Sequence, residues 1–158
     1  MSAALSPLTR RTVARVAIDA GRRIRLAMRG VSMLPLLREP MVLEVAPLTR
    51  RSNVGDVIVF ARGEILVVHR VIRYSGLRYI TSGDAQPLVT EDVAPADVLG
   101  RVEAVWEDGS ASARRLDTHA RRLRGVWLAR AHPMRAIAAA TRTRAARALR
   151  RLPLLCRP

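Results

Sequence analysis

The strongest constraint on the fold lies between Met41 and Trp106, where short apolar runs recur roughly every ten residues with turn-forming residues between them. Met41-Val42-Leu43-Glu44-Val45 is stopped by Pro47, and Asn53-Val54-Gly55-Asp56 turns into Val57-Ile58-Val59-Phe60. Arg62-Gly63-Glu64 connects that run to Ile65-Leu66-Val67-Val68-His69-Arg70-Val71-Ile72 as a hairpin. Ser75-Gly76 opens Leu77-Arg78-Tyr79-Ile80-Thr81, which ends at Ser82-Gly83-Asp84. A polar loop containing prolines is expected from Ala85 to Ala96, before a strand over Val98 to Val105. Asp108-Gly109 offers one more hairpin turn. Such spacing predicts an antiparallel, mainly β domain, a barrel or a sandwich.

The flanks differ in texture. Ser6-Pro7 has the form of an N-cap followed by proline at the first helical position. Val13, Val16, Ala17, Ala20 and Ile24 then fall at helical spacing among arginines, predicting a short basic amphipathic helix over about residues 7 to 20 that Gly21 ends. In the next stretch Arg23, Arg25 and Arg29 alternate with Ile24, Leu26 and Met28, the period of a half-buried strand. Beyond Leu116 the chain is rich in Arg and Ala, with Leu123, Trp127, Ala131, Met134, Ile137 and Ala138 at near-helical spacing and Pro133 dividing two expected helices. These changes of texture divide the chain into an N-terminal helix (1–21), a β domain (22–116) and a basic helical extension (117–158).

Composition narrows the chemistry. The 158 residues carry a formal charge of +15, and all 28 basic residues are arginine. A chain without lysine cannot use one as a general base. One cysteine, Cys156, excludes an intrachain disulfide framework and a cysteine metal site, and no metal or cofactor is expected. The charge favours anionic partners, and the basic helices suit an anionic membrane surface. Aromatic residues make up only 3%, too few for the stacking platform of single-strand binding, so no specific nucleic-acid partner is expected. No stretch approaches the ~20 apolar residues of a membrane span, and the N-terminus lacks the apolar core of a secretory signal. The expected location is the cytoplasm or the periphery of the cytoplasmic membrane.

Three residues at strand ends or within strands carry reactive groups: Ser32, His69 and Asp84. Singly, each has an ordinary role as a turn serine, a core histidine or a turn carboxylate. Together they supply what activation of a hydroxyl needs: a nucleophile, a base whose pKa lies near neutrality, and a carboxylate to orient the imidazole. Gly30-Val31-Ser32-Met33-Leu34-Pro35 follows the first strand as a bend. Gly30 frees the backbone there, Pro35 stiffens the exit, and Val31 and Met33 flank the serine. A serine on such a bend can present its hydroxyl and its own N–H to one point, as a nucleophile beside an oxyanion donor must. His119 and His132 lie in the Arg-rich tail and are poor alternative bases.

These residues resemble the type I signal peptidases and related serine peptidases of the same fold, a group that includes self-cleaving repressors. Gly30-x-Ser32-Met33-x-Pro35 is similar to the nucleophile box, and Val54-Gly55-Asp56-Val57-Ile58-Val59-Phe60 to the segment that follows it. His69-Arg70-Val71-Ile72 resembles the box of the general base, Thr81-Ser82-Gly83-Asp84 the Thr-Lys-Gly-Asp box, and Asp97 to Val102 the closing strand. The five ordered boxes span roughly residues 22 to 105. The resemblance implies a partly open antiparallel β-barrel or coiled sheet and a serine endopeptidase that processes signal or leader peptides. With His in place of the more usual Lys, it is nearest the archaeal and endoplasmic-reticulum form. It implies Ser32 as nucleophile, His69 as base, Asp84 as orienter and Asp92, or Glu91, as a second acid. The substrate would be an extended peptide or precursor protein that adds a strand at a groove edge. Gly30 replaces the serine of many relatives, so oxyanion stabilisation falls to backbone N–H groups, chiefly that of Ser32. Arg38-Glu39-Pro40 stands where Gly-Asp is usual, and the transmembrane anchor typical of the family is not expected here. Self-cleaving repressors use a lysine base, which this sequence lacks, and a separate DNA-binding domain, which is not expected here. A catalytically inactive relative serving as a binding domain, or a basic module for nucleic acid or anionic surfaces, is the alternative.

Overall fold

A computed structural model describes residues 7–107, 112–116 and 118–151. The elements run α1 (Pro7–Asp19), β1 (Ile24–Met28), β2 (Met41–Ala46), β3 (Val57–Arg62), β4 (Ile65–Ser75), β5 (Arg78–Ser82), β6 (Thr90–Val93), β7 (Val98–Glu107), β8 (Arg114–Arg115), α2 (His119–Arg130) and α3 (His132–Arg151). Among the described residues the eight strands form one antiparallel sheet in the order β1-β2-β7-β3-β4-β5-β6, with β8 also on β7. The sheet curls into a half-barrel. Shifts of register between Glu44 and Val45, Val59 and Phe60, and Val71 and Arg73 break the ladders. Bulges of this kind add the local twist that lets a sheet curl.

Alternation along β3 builds two cores from one strand. Val57 and Val59 join Leu43, Val45, Val102 and Val105 on one side, while Ile58 and Phe60 join Val71, Tyr79, Val93 and Val98 on the other. The first core also takes Ile18 from α1, and Met33 and Leu37 from the bend after β1. Residues 30–40 are thus moored after Ser32 by the buried Met33 and Leu37, while Val31 before it is exposed.

The helix over residues 7–19 ends as expected at Gly21, whose φ of 74° is the left-handed conformation a side chain resists. Arg15 pins it by donating to the carbonyls of Ala96 (2.8 Å) and Val98 (3.1 Å), and Arg11 donates to Gly63 (2.5 Å). The proposed cap at Ser6 and the turn at Asp108-Gly109 lie outside the described residues. One expectation is corrected: residues 85–96 are not all loop, because Thr90–Val93 adds β6 to the edge of β5. Four residues bracketed by Pro87 and Pro95 are too few and too polar to display a strand signal.

The C-terminal helices divide next to Pro133, which occupies the first turn of α3, where its missing N–H costs nothing. Helix α2 approaches the domain backbone to backbone. A Cβ on Gly125 would lie 2.4 Å from the carbonyl oxygen of Gly55, and a Cβ on Gly55 would lie 2.5 Å from the nitrogen of Val126. Gly125→Ala should therefore lower stability by about 1–3 kcal/mol through overpacking, although alanine gains about 1 kcal/mol in helix propensity. Denaturant unfolding of the two proteins checks the sign.

Candidate active site

Strand β1 ends at Met28, and the chain turns through Gly30, whose φ is +112° with open space where a Cβ would stand. Its requirement for glycine is therefore conformational. The bend is hydrogen-bonded within itself, Leu34 N–H donating to Val31 O and Leu37 N–H to Met33 O. The N–H of Gly30 is taken by a carboxylate oxygen of Glu39. The N–H of Ser32 bonds no group among the described residues.

Ser32 meets the segment after β5 at close quarters. Ala85 N–H donates to Ser32 O at 2.7 Å. Gly83 lies between serine and histidine: a Cβ there would stand 2.6 Å from Ser32 O, 3.0 Å from Ser32 Cβ and 3.2 Å from His69 Nε2. Glycine is required at 83 for space, since a single carbon would push the Ser32 turn from the imidazole. The Ser82 hydroxyl holds the following loop by donating to the carbonyls of Val89 (2.9 Å) and Gln86 (3.2 Å).

His69 is buried in β4, with Phe60 edge-on at 6.0 Å between ring centroids. Nε2 faces the Ser32 side and Nδ1 faces Glu91 Oε2 at 3.3 Å. That separation is within ion-pair range but off the line of a hydrogen bond, leaving both atoms buried without a hydrogen-bonding partner among the described residues. Such contacts commonly tighten only when substrate binds. Burial pushes the imidazole pKa below its ordinary 6.5. The attraction of Glu91 opposes that shift, and the positive charge of Arg62 reinforces it.

The expected orienter is corrected. The carboxylate of Asp84 does not face His69 Nδ1 but is held at both oxygens by Arg70, from Nε at 2.8 Å and Nη2 at 2.6 Å. Both residues are 4% exposed, and the third arm of the guanidinium donates to Gly55 O at 2.7 Å. Neighbours along a strand point to opposite sides, so Arg70 clamps the back of the wall whose front carries His69. Asp92 is also not at the site. It lies on the outer face of β6 and pairs with Arg78 at 2.5 Å, whereas Glu91 turns inward to His69 and to Arg62. Given β6, the sequence carries the signal: Val93 is apolar, and Glu91, two residues away, must share its face.

Ser32, His69 and Glu91 line one groove of about 990 Å³. Its walls are β1, the first half of β4 and α1, the last through Arg10, Val13, Ala14 and Ala17. Among the described residues β1 pairs only with β2, and the pairing of β4 with β5 begins at Arg70, so Ile65–His69 has a free edge. Two open strand edges border the groove and run toward the bend that carries Ser32. Comparison of the chain with protein-family models, curated proteins and solved structures finds no match.

The two acids should separate cleanly. Asp84→Ala leaves Arg70 buried and unpaired, and should cost about 3–5 kcal/mol in unfolding experiments. Glu91→Gln should change stability by less than about 1 kcal/mol, because its pair with Arg62 is solvent-exposed on the arginine side.

Proposed function

We propose that this chain is a serine endopeptidase of the signal-peptidase-like type, with Ser32 as nucleophile, His69 as general base and Glu91 as the carboxylate that orients the imidazole. The observation that carries the reading is the disposition of His69, with Nε2 toward Ser32 across Gly83 and Nδ1 toward a buried carboxylate. In this mechanism Ser32 Oγ attacks the peptide carbonyl while Nε2 takes its proton. The Ser32 N–H donates to the developing oxyanion, and the imidazolium returns the proton to the leaving amine. Water, activated by the same imidazole, then releases the acyl group and restores the serine. The open edges of β1 and β4 suit a substrate bound as an added strand. The sheet's curl and the five ordered motifs support assignment to the signal-peptidase fold.

A serine-directed acylating probe tests the chemistry. Wild type should label, and Ser32→Ala and His69→Ala should not. Labelling that persists in Ser32→Ala, or a folded wild type that never labels, refutes the assignment. Because the base must be neutral and burial lowers its pKa, acylation should stay high down to pH 6.5 and fall with a midpoint below it. Glu91→Gln removes an attraction that favours the protonated ring, so its midpoint should move lower still. A midpoint unchanged in that variant would refute the role of Glu91.

We also propose that the C-terminal helices rest on an anionic membrane surface. Leu123, Trp127, Met134 and Ile137 are each more than half exposed, with exposed Arg124 and Arg130 beside them, while Gly125 and Ala129 on the opposite side are buried against the domain. Among the described residues no helix is long and apolar enough to cross a membrane. Apolar side chains flanked by cations suit an interfacial position. Co-sedimentation with anionic vesicles should occur and weaken with salt, and equal binding to neutral vesicles at high salt would count against it.

A further inference from the structure

The charge lining the groove is one-sided. Arg10 enters from α1, Arg25 from β1, Arg29 from just beyond β1 and Arg62 from the end of β3, against only Glu64 and Glu91. Glu91 is committed to Arg62 and His69, and Glu64 belongs to the hairpin at the end remote from Ser32. Arg25 lies over the ring of Trp106 at 4.5 Å, which leaves its charge without a carboxylate. Arg10 and Arg29 meet no carboxylate among the described residues. Arg23, Arg70, Arg78 and Arg101, outside the groove, are each paired with a carboxylate, whereas Arg10, Arg25 and Arg29 within it are not.

The remaining lining is apolar and strand-like, with Val13, Leu26, Leu66 and Val68 between the cations. A peptide paired to a free strand edge projects its side chains alternately to either side. Arg25 projects from β1, and Arg29 stands just past its end, between the strand and the bend that carries Ser32. We infer that the groove selects an acidic extended peptide, with Asp or Glu at alternate positions and apolar residues between them. In this arrangement Arg29, three residues before the nucleophile, reads the acid nearest the cut, and Arg10 reads one farther out. The inference rests on the peptidase reading for the use of the groove, but peptide selection is measurable without turnover.

The test uses the full chain with Ser32→Ala and fluorescent ten-residue peptides of alternating Val and a second residue, which is Asp, Asn or Arg. By anisotropy the Asp peptide should bind at least about tenfold more tightly than the Asn peptide and the Arg peptide more weakly than either, the differences shrinking as salt screens the charges. Added Arg10→Glu and Arg29→Glu should lower affinity for the Asp peptide about tenfold or more. The same change of net charge on the tail, Arg142→Glu with Arg144→Glu, should lower it less than about twofold. If the groove double variant does not fold, Arg10→Gln with Arg29→Gln gives the same readout. Equal binding of the three peptides, equal loss in groove and tail variants, or equal competition by a single-stranded oligonucleotide of matched charge would each overturn the inference. Labelling of wild-type Ser32 by the acylating probe reports separately on the peptidase reading. Labelling with no acid preference sinks only the present inference.

Discussion

The buried pair of Arg70 and Asp84 organises everything around the candidate site. Removing two charges from water is costly, and the pair offsets that cost by bonding at both carboxylate oxygens while the third arm of the guanidinium satisfies Gly55 O. Only a planar fork makes all three contacts in one plane, so arginine is needed here for shape as much as for charge. Asp84 adjoins Gly83, and Arg70 adjoins His69. The clamp therefore fixes the distance between the strand that carries the imidazole and the glycine against which the serine turn rests.

Around that clamp the electrostatics of the groove are consistent in sign. His69 is kept neutral by burial and by Arg62, and is kept from losing its affinity for a proton altogether by Glu91. An imidazole held in this way stays neutral, and so able to accept a proton, over a wide range of pH. Of the other groove arginines, Arg25 stacks on Trp106, and Arg10 and Arg29 form no ion pair with the fold among the described residues.

Much of this was legible in the sequence because the β elements are short, apolar and punctuated. Val57 to Phe60 reads as a strand from its apolar residues alone, and Gly21 and Gly30 read as backbone breaks that the dihedral angles bear out. The helix break at Pro133 was equally plain. Asp84 and Glu91 were not separable in the same way. A carboxylate beside a glycine turn looks alike whether it faces a histidine or an arginine, and the choice is made by the parity of β4, which sets His69 and Arg70 on opposite sides. Glu91 was obscured because β6 is a four-residue polar edge, recognisable only once β5 is there to pair with it. Nor does local sequence announce that Gly55 and Gly125, seventy residues apart, touch.

That contact has a mechanical consequence. Through it α2 bears on the same carbonyl of Gly55 that Arg70 grips, and Arg135 of α3 donates to the carbonyl of Asp84. The basic tail thus holds the two ends of the clamp from behind, as a splint holds a joint. A force that peels the helices off the domain is delivered to the hinge between imidazole and serine before it reaches either core.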